Sequence, residues 1–312
     1  MLWDDKTARR LSTRELRIFL AVAHAGSMAK AARALATSQP AISKAIADME
    51  HNLSVRLLDR GPQGVEPTQY GRALVKCGVA VFNEVKQGIN EIGFLADPSA
   101  GELRIGAPDP VAAGLVRAVI DRLLLKYPRI TFCIETDLSS LYGHLRERNV
   151  ELVINRLLGP ITKEDFNTEI LYHDTLVVVA GANNPWTRRR KVQLADLVNE
   201  PWVLGKPDGP LWLHVMNAFQ ACGLEPPRVA VTTGSDHARF SLLTTGRFFS
   251  VRAKVALKFQ GKQPPLKALP IELPMTLAPI AIITLKNRTL SPLARLFIEH
   301  TRTVAKSIAK SG

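Results

Sequence analysis

Through the first third of the chain, apolar residues recur at three- and four-residue steps; beyond residue 101 such stretches alternate with short apolar runs. The first spacing marks helices, the second strands interleaved with helices. Leu16, Phe19, Leu20 and Ala23 stand at i, i+3, i+4 and i+7. Before them Ser12 and Glu15 have the spacing of a capping box, in which each side chain satisfies one free backbone N–H, and Gly26 offers a left-handed stop. Ser27 can cap a second helix with Met28, Ala31, Ala32 and Leu35 on one side. A third helix begins at Ser38-Gln39-Pro40, a hydroxyl cap followed by a proline in the first turn, where its missing N–H costs nothing. Ile42, Ala45, Ile46, Met49 and Leu53 form its buried stripe. Residues 55–60 and 65–68 flank Gly61-Pro62-Gln63-Gly64 and read as a two-stranded wing.

From Thr68 to Ala96 the apolar positions Leu74, Val81, Val85, Ile89, Ile92 and Leu95 describe one long amphipathic helix. Its stripe must pack against something, and the same helix of a second subunit is the simplest candidate. Asp97-Pro98-Ser99-Ala100-Gly101 follows as a hinge. Strands are then expected at 103–106, 130–136, 151–155, 177–180, around 202–204, 229–232, 248–251 and 279–285. Helices are expected at 111–126, 138–148, 211–222, 235–245 and 292–309. The βαβα order implies a mainly parallel sheet covered by helices.

At 100° per residue, the face of the third helix opposite its stripe presents Pro40, Ser43, Lys44 and Ala47, with Gln39 at its N-terminal end beside Ser38. Such a short, polar, partly small face can approach base edges in a major groove; on one helix alone it would read as a solvated surface. Arg60 and Thr68 of the wing would lie beside the phosphate backbone. The run Leu16, Phe19, Val22, Gly26-Ser27, Ala31-Ala32, Leu35, Ser38-Gln39-Pro40-Ala41-Ile42-Ser43, Ile46, Glu50, Leu53, Leu57, Arg60, Thr68 and Gly71 resembles the DNA-binding domain of LysR-type transcriptional regulators. Two departures bear on the base of the wing: Ser54 stands where the family usually has Gly, and Leu57-Leu58 where it has Leu-Phe. The resemblance implies that Gln39, Pro40, Ser43 and Lys44 face the major groove, Ser27 a phosphate, and Arg60 the wing-side backbone or minor groove. It further implies dimerisation through the long helix, which spaces two readers for paired half-sites.

The rest of the chain resembles the two-lobed, periplasmic-binding-protein-like effector domain of the same family. The expected organisation is an all-α winged helix-turn-helix over residues 1–71, a linker helix and hinge over 72–100, and an α/β effector-binding domain over 101–312. Lobe I takes 101–173 and 275–312, lobe II takes 174–274, and the chain crosses between them near Tyr172-His173-Asp174 and Leu273-Pro274. Segments 103–115 and 146–156 resemble the branch named for a galactose-binding-protein regulator, which favours a sugar or sugar acid as inducer. Ligands in open α/β sheets sit at the C-terminal ends of strands. By that rule the cleft candidates are Pro108, Asp109 and Pro110, then Thr136, Ser139 and Ser140, then Arg156, then Gly205 and Lys206, and finally Thr233 and Ser235. Asp109 suits sugar hydroxyls but opposes an anion, and Ser139 and Ser235 also fit plain helix caps.

Composition changes this picture little. The net charge of +13 sits mostly outside the DNA module: residues 1–99 hold 13 Lys and Arg against 10 Asp and Glu, and residues 100–312 hold 28 against 18. The excess hints at an anionic small molecule rather than carrying the DNA argument. The run Arg188-Arg189-Arg190-Lys191 reads as a solvated loop. The three cysteines and seven histidines are scattered, so neither a disulfide framework nor a metal site is expected, and no cofactor. With no signal peptide or apolar stretch of spanning length, a cytoplasmic protein without a membrane partner is expected. An enzyme is disfavoured by the lack of GxGxxG, P-loop, GxSxG or paired carboxylates in context, and a secreted solute-binding protein by the fused DNA module. The expected partners are double-stranded promoter DNA, a small-molecule inducer (sugar, sugar acid or other small organic acid) and further copies as homodimer or homotetramer. RNA polymerase is a further candidate partner. Ligand closing the cleft would shift how dimers pack in the tetramer.

Overall fold

The computed structural model describes residues 11–61, 64–137, 140–158, 164–207, 209–259, 265–274 and 277–310. The chain divides into two compact units, one reaching Ile89 and including Arg146–Asn149, the other holding Asn90–Leu145 and the rest from Val150.

In the first unit α1 (Thr13–Ala25), α2 (Met28–Ala34) and α3 (Gln39–Leu53) follow the expected apolar spacing. The capping box forms: the Glu15 N–H donates to Ser12 Oγ at 3.2 Å, and the Ser12 N–H to Glu15 Oε2 at 2.7 Å. Gly26 closes α1 at φ 61°. Phe19, Val22, Ala31, Ile42, Ile46, Met49 and Leu57 make one buried core, in which each large side chain contributes about 1.5–3 kcal/mol. Ala45 and Leu53 are only half-buried. Ser54 ends α3 in the left-handed region at φ 55°, ψ 30°, so this serine adopts the conformation for which glycine is usually selected. The wing is narrower than expected: β1 (Leu58–Gly61) and β2 (Gly64–Pro67) pair antiparallel, and residues 55–57 are not strand. The Val55 N–H instead donates to the Glu50 carbonyl at the end of α3 at 3.2 Å, and Glu50 Oε1 accepts from the N–H groups of Leu57 and Leu58 at 2.7 and 3.1 Å. The turn residues Pro62 and Gln63 lie outside the described residues.

Helix α4 (Gln69–Ala96) is the long amphipathic helix, with Val85, Ile89, Ile92 and Leu95 exposed along it. The expected hinge is shorter than five residues, since Ala100 and Gly101 already belong to a strand. Asp97 closes the turn by accepting from the Ser99 N–H at 3.1 Å and pairing with Arg129 at 2.7 Å.

The second unit contains β3 (Ala100–Gly106), α5 (Arg117–Lys126) preceded by a π turn at Ala112–Val116, β4 (Arg129–Glu135), α6 (Leu141–Arg146), β5 (Leu152–Arg156) and β6 (Phe166–Gly181). Then come β7 (Trp202–Leu204), α7 (Pro210–Ala221), β8 (Val229–Thr232), α8 (Asp236–Thr244), β9 (Phe249–Ala253), β10 (Leu266–Ala268), β11 (Leu277–Leu285) and α9 (Pro292–Lys310). The strands run in the order β4-β3-β5-β11-β6-β9-β7-β8, with β10 also on β6. Parallel pairs occupy the two flanks, but β11 and β6 run antiparallel to their neighbours, so the mainly parallel sheet is corrected to a mixed one.

The two lobes follow from β6. Its residues 166–175 pair with β11, and residues 176–180 pair with β9, so the chain crosses between lobes at Thr175/Leu176, just past the expected Tyr172-His173-Asp174. The first half of this strand went unforeseen because Leu171 is an extra residue in the ladder, where the register shifts between Ile280 and Ala281. Such a bulge breaks the period-two pattern that marks a strand. Lobe I packs Leu103, Ile105, Val119, Leu123 and Phe297 in its core. Lobe II packs Val178, Trp202, Phe219 and Phe249, with the Trp202 indole N–H donated to the Leu197 carbonyl at 2.8 Å.

Candidate DNA-binding surface and effector cleft

Helix α3 delivers the outward face that its periodicity predicts. Gln39, Pro40, Lys44 and Ala47 are exposed and Ser43 is half-buried, while Ile42, Ile46 and Met49 fix the opposite side. Ser38 starts the helix by accepting from the Ala41 N–H at 3.3 Å, and Ser27 starts α2 by accepting from the Lys30 N–H at 3.5 Å. A serine that spends one lone pair on a cap still has its O–H to donate to a phosphate. Arg60 is exposed on β1. Thr68 is committed differently: it donates to the Arg56 carbonyl at 2.7 Å and accepts from the Gly71 N–H at 3.1 Å. Its proton is spent inside the module, so its evident work is joining the wing to the start of α4.

Contacts made by Glu50, Gly26, Gly64 and Gly71 also hold this surface together, and sequence reasoning did not foresee them. Glu50 ties α3 to the wing, as above. Gly26 receives the Val65 N–H on its carbonyl at 2.9 Å, and a Cβ on Gly64 would sit 2.5 Å from the same oxygen. Gly71 packs so closely under the wing that a Cβ would lie 2.1 Å from the Leu57 oxygen. Glu50 and Gly71 fall in the family pattern, which signals importance but not these contacts. An apolar cavity of about 380 Å³ lies between α1 and α4, lined by Leu20, Ala23, His24, Pro67, Arg72, Val75 and Val79.

In the second unit, the cleft candidates divide. Pro108 is buried, Asp109 is exposed and Pro110 half-buried at the turn after β3; Thr136 is exposed after β4. Ser140 donates to the Asp137 carboxylate at 3.2 Å, and Ser139 lies outside the described residues. Gly205 is half-buried and Lys206 exposed after β7. Thr233 Oγ1 accepts from the Ser235 N–H at 3.1 Å, and Ser235 caps α8 by accepting from the Ala238 N–H at 3.2 Å. Arg156 is placed at the end of β5 as expected, but its charge is already matched. Its Nη2 pairs with the Asp174 carboxylate, its Nη1 donates to the Asp174 carbonyl at 2.7 Å, and the two side chains are 9% and 4% exposed. Burial pulls the Arg156 guanidinium below its ordinary range, opposed by Asp174. Arg156 therefore fastens β5 to β6 beside the crossing, rather than standing open to a ligand.

Sequence reasoning missed Asp236, Arg239 and Arg252 in lobe II. Arg252 donates to Asp236 at 2.8 Å, and Arg239 lies 3.3 Å from the same carboxylate. Burial pulls the Arg239 guanidinium down; Asp236 opposes this, Arg252 adds to it, and Asp109 opposes it again. Asp236 and Arg239 stand three residues apart at the start of α8, a helical pair spacing, but nothing in the sequence brings Arg252 of β9 to them. Among the described residues no group of three or more His, Cys, Asp or Glu could hold a metal ion, and no helix is long and apolar enough to cross a membrane. Cys77 and Cys222 are exposed and Cys133 half-buried; all three are free thiols. The basic run 188–191 is exposed, as a solvated loop should be, with Arg189 stacked 3.8 Å from the Trp186 ring centroid.

Comparison with known proteins covers nearly the whole chain. The family described as bacterial regulatory helix-turn-helix protein, lysR family, matches residues 13–72, and the LysR substrate binding domain matches residues 96–306. The HTH-type transcriptional regulator GbpR of Azospirillum brasilense is 26% identical over 298 residues, covering 95% of this chain and 87% of the relative. The transcriptional dual regulator GltC of Bacillus subtilis is 28% identical over 301 residues, covering 93% and 96%. The crystal structure of CbnR, a LysR family transcriptional regulator, matches with a TM-score of 0.70 at 22% identity over 95% of this chain and 99% of that one. Full-length CbnR complexed with its target DNA matches at 0.71, with 22% identity over 94% and 100%.

Proposed function

This chain belongs to the LysR family of DNA-binding transcription regulators, and we propose that it reads promoter DNA with the N-terminal face of α3 under the control of a small molecule bound between the lobes. Gln39, Pro40, Ser43 and Lys44 enter the major groove, Ser27 and Ser38 meet phosphates, and Arg60 contacts the backbone or minor groove beside the wing. The cleft residues Pro108, Asp109, Pro110, Thr136, Ser139, Ser140, Gly205, Lys206, Thr233 and Ser235 surround the effector, a sugar, sugar acid or other small organic acid. Thr68 and Arg156 act as braces for the two sites. Residues 1–71 bind DNA, 72–100 link and dimerise, and 101–312 bind effector. The exposed stripe Val85, Ile89, Ile92 and Leu95 is covered by the same helix of a second copy, and dimers pair into tetramers. The protein works in the cytoplasm, contacts RNA polymerase at the promoter and carries out no catalysis.

The observation that carries this reading is the short polar face of α3, exposed on a helix whose cap, buried stripe and wing contact are all in place. Base contacts specify, whereas phosphate contacts position. On a footprinted operator, Gln39→Ala is expected to narrow the gap between specific and random DNA by about tenfold, from the loss of about 1–3 kcal/mol of base discrimination. Lys44→Ala is expected to weaken binding to both alike and to flatten the slope of log K against log salt by about one. Wild-type binding by both variants would remove α3 from the groove.

A further inference from the structure

Lobe II holds a cluster of charge that the cleft residues named above do not use. Asp236, in the first turn of α8, lies between Arg252, whose Nη2 donates at 2.8 Å, and Arg239, whose Nη2 lies at 3.3 Å. One carboxylate thus serves two guanidinium groups and leaves one positive charge over. Both arginine side chains are 12% exposed. Arg239 Nε and Arg252 Nη1 are shielded from solvent and have no acceptor among the described residues. Buried donors are normally paired, because the water they lose must be replaced. The Phe240 ring, 5.9 Å from the Arg252 guanidinium, helps hold that side chain under α8.

The cluster is on the side where a ligand would enter. Helix α8 begins beyond the C-terminal end of β8, and Arg252 lies toward the C-terminal end of β9, opposite Val177 of β6. Strands β8, β7 and β9 are parallel, so their ends share one side of the lobe. Of the charges that act on Arg239, Asp109 at the turn after β3 is the weakest. Thr233 and Ser235 flank it, each accepting a backbone N–H and keeping its own O–H to donate.

We propose that Arg239 and Arg252 bind a carboxylate of the effector, which makes the effector a small organic acid rather than a neutral sugar. This rests on the effector-cleft reading above. The planar guanidinium donors suit the two oxygens of one carboxylate. Asp109 opposes a second negative charge nearby, so a phosphate dianion fits the cluster less well.

The test uses the full-length protein, with thermal unfolding and calorimetric titration at fixed ionic strength. The probes are acetate, galactonate, inorganic phosphate and galactose. Acetate and galactonate are expected to give a saturable rise in Tm that phosphate and galactose do not match. Arg239→Gln is expected to weaken the carboxylate response at least tenfold. Asp109→Asn, at an exposed position, is expected to strengthen it severalfold, and this opposite sign keeps the test informative even where an arginine variant folds poorly. Stabilisation by phosphate as strong as by acetate would overturn the carboxylate assignment. Stabilisation by galactose alone would overturn the anion proposal and leave the cleft reading intact. A protein indifferent to all four would lose both. A carboxylate response unchanged in Arg239→Gln, Arg252→Gln and Asp109→Asn would place the anion elsewhere.

Discussion

Gly71→Ala is expected to destabilise the winged module by about 3 kcal/mol, the upper part of the range for overpacking a tight contact, and to abolish operator binding at physiological temperature. The added Cβ would stand 2.1 Å from the Leu57 oxygen and 3.1 Å from the Pro67 Cβ. Neither neighbour is a flexible side-chain tip. The Leu57 carbonyl already accepts the Thr68 N–H at 3.0 Å, and the Leu57 N–H is held by Glu50 at 2.7 Å. Relief therefore requires α4 to move off the base of the wing, which also parts Thr68 from Arg56. Against a total stability of about 5–15 kcal/mol for a domain, that loss is severe. Gly143→Ala serves as the control: nothing lies within 4 Å of its Cβ position, and it lies in α6, so it should leave DNA binding intact and stability unchanged or slightly raised. Thermal melts and anisotropy with operator DNA, run on both variants, make the comparison. A Gly71→Ala protein that melts and binds like wild type would show the wing base to be looser than described.

Arg156→Ala should lower the stability of the second unit by about 3–5 kcal/mol, the usual result of removing one partner from a buried ion pair. Asp174 would be left without its countercharge at 4% exposure, with the Val255 N–H at 3.3 Å as a remaining donor to its side chain. Its backbone carbonyl would also lose the Arg156 bond. Because Asp174 lies next to the crossing at Thr175/Leu176, the lobes are expected to lose their fixed junction, and effector response with it. Replacing both residues, as Arg156→Met with Asp174→Leu, removes the uncompensated charge and should recover most of the stability. Urea unfolding followed by Trp fluorescence reads the loss. An Arg156→Ala protein as stable as wild type would show that the buried pair does not brace the crossing between the lobes.

The fold was legible where local chemistry and long-range packing agree. Ser12, Ser27 and Ser38 announce their helices because a cap is a contact between residues three apart, and the apolar spacing of α1 to α3 maps directly onto one core. The same holds for most strands and helices of the second unit. Legibility failed where the deciding partner is distant in sequence. Residues 55–57 have strand composition, yet the Glu50 carboxylate takes two of the N–H groups at the base of the wing. The first half of β6 is disguised by the extra residue at Leu171. Ser54 in the left-handed region reads as a departure until its backbone angles are seen.

The DNA surface was more readable than the cleft for the same reason. Gln39, Ser43 and Lys44 share one short helix, so periodicity alone gathers them. The charged candidates for the cleft lie after β3, on β5, on β6, after β7, on α8 and on β9, and no one periodicity gathers them. Strand ends pointed to Arg156 but could not reveal that Asp174 claims it, and nothing local pairs Asp236 with Arg252, sixteen residues on. Bulk charge was a poor guide to the DNA surface, since the proposed reading face of α3 holds one lysine and most of the excess lies beyond residue 99.

The most direct test of the central claim is the affinity of the full-length protein for the promoter fragment upstream of its own gene, compared with a scrambled fragment of equal length, by anisotropy at physiological salt. A reader of base edges is expected to prefer the promoter by about 10³-fold or more. Equal affinity for the two fragments would contradict sequence reading by α3.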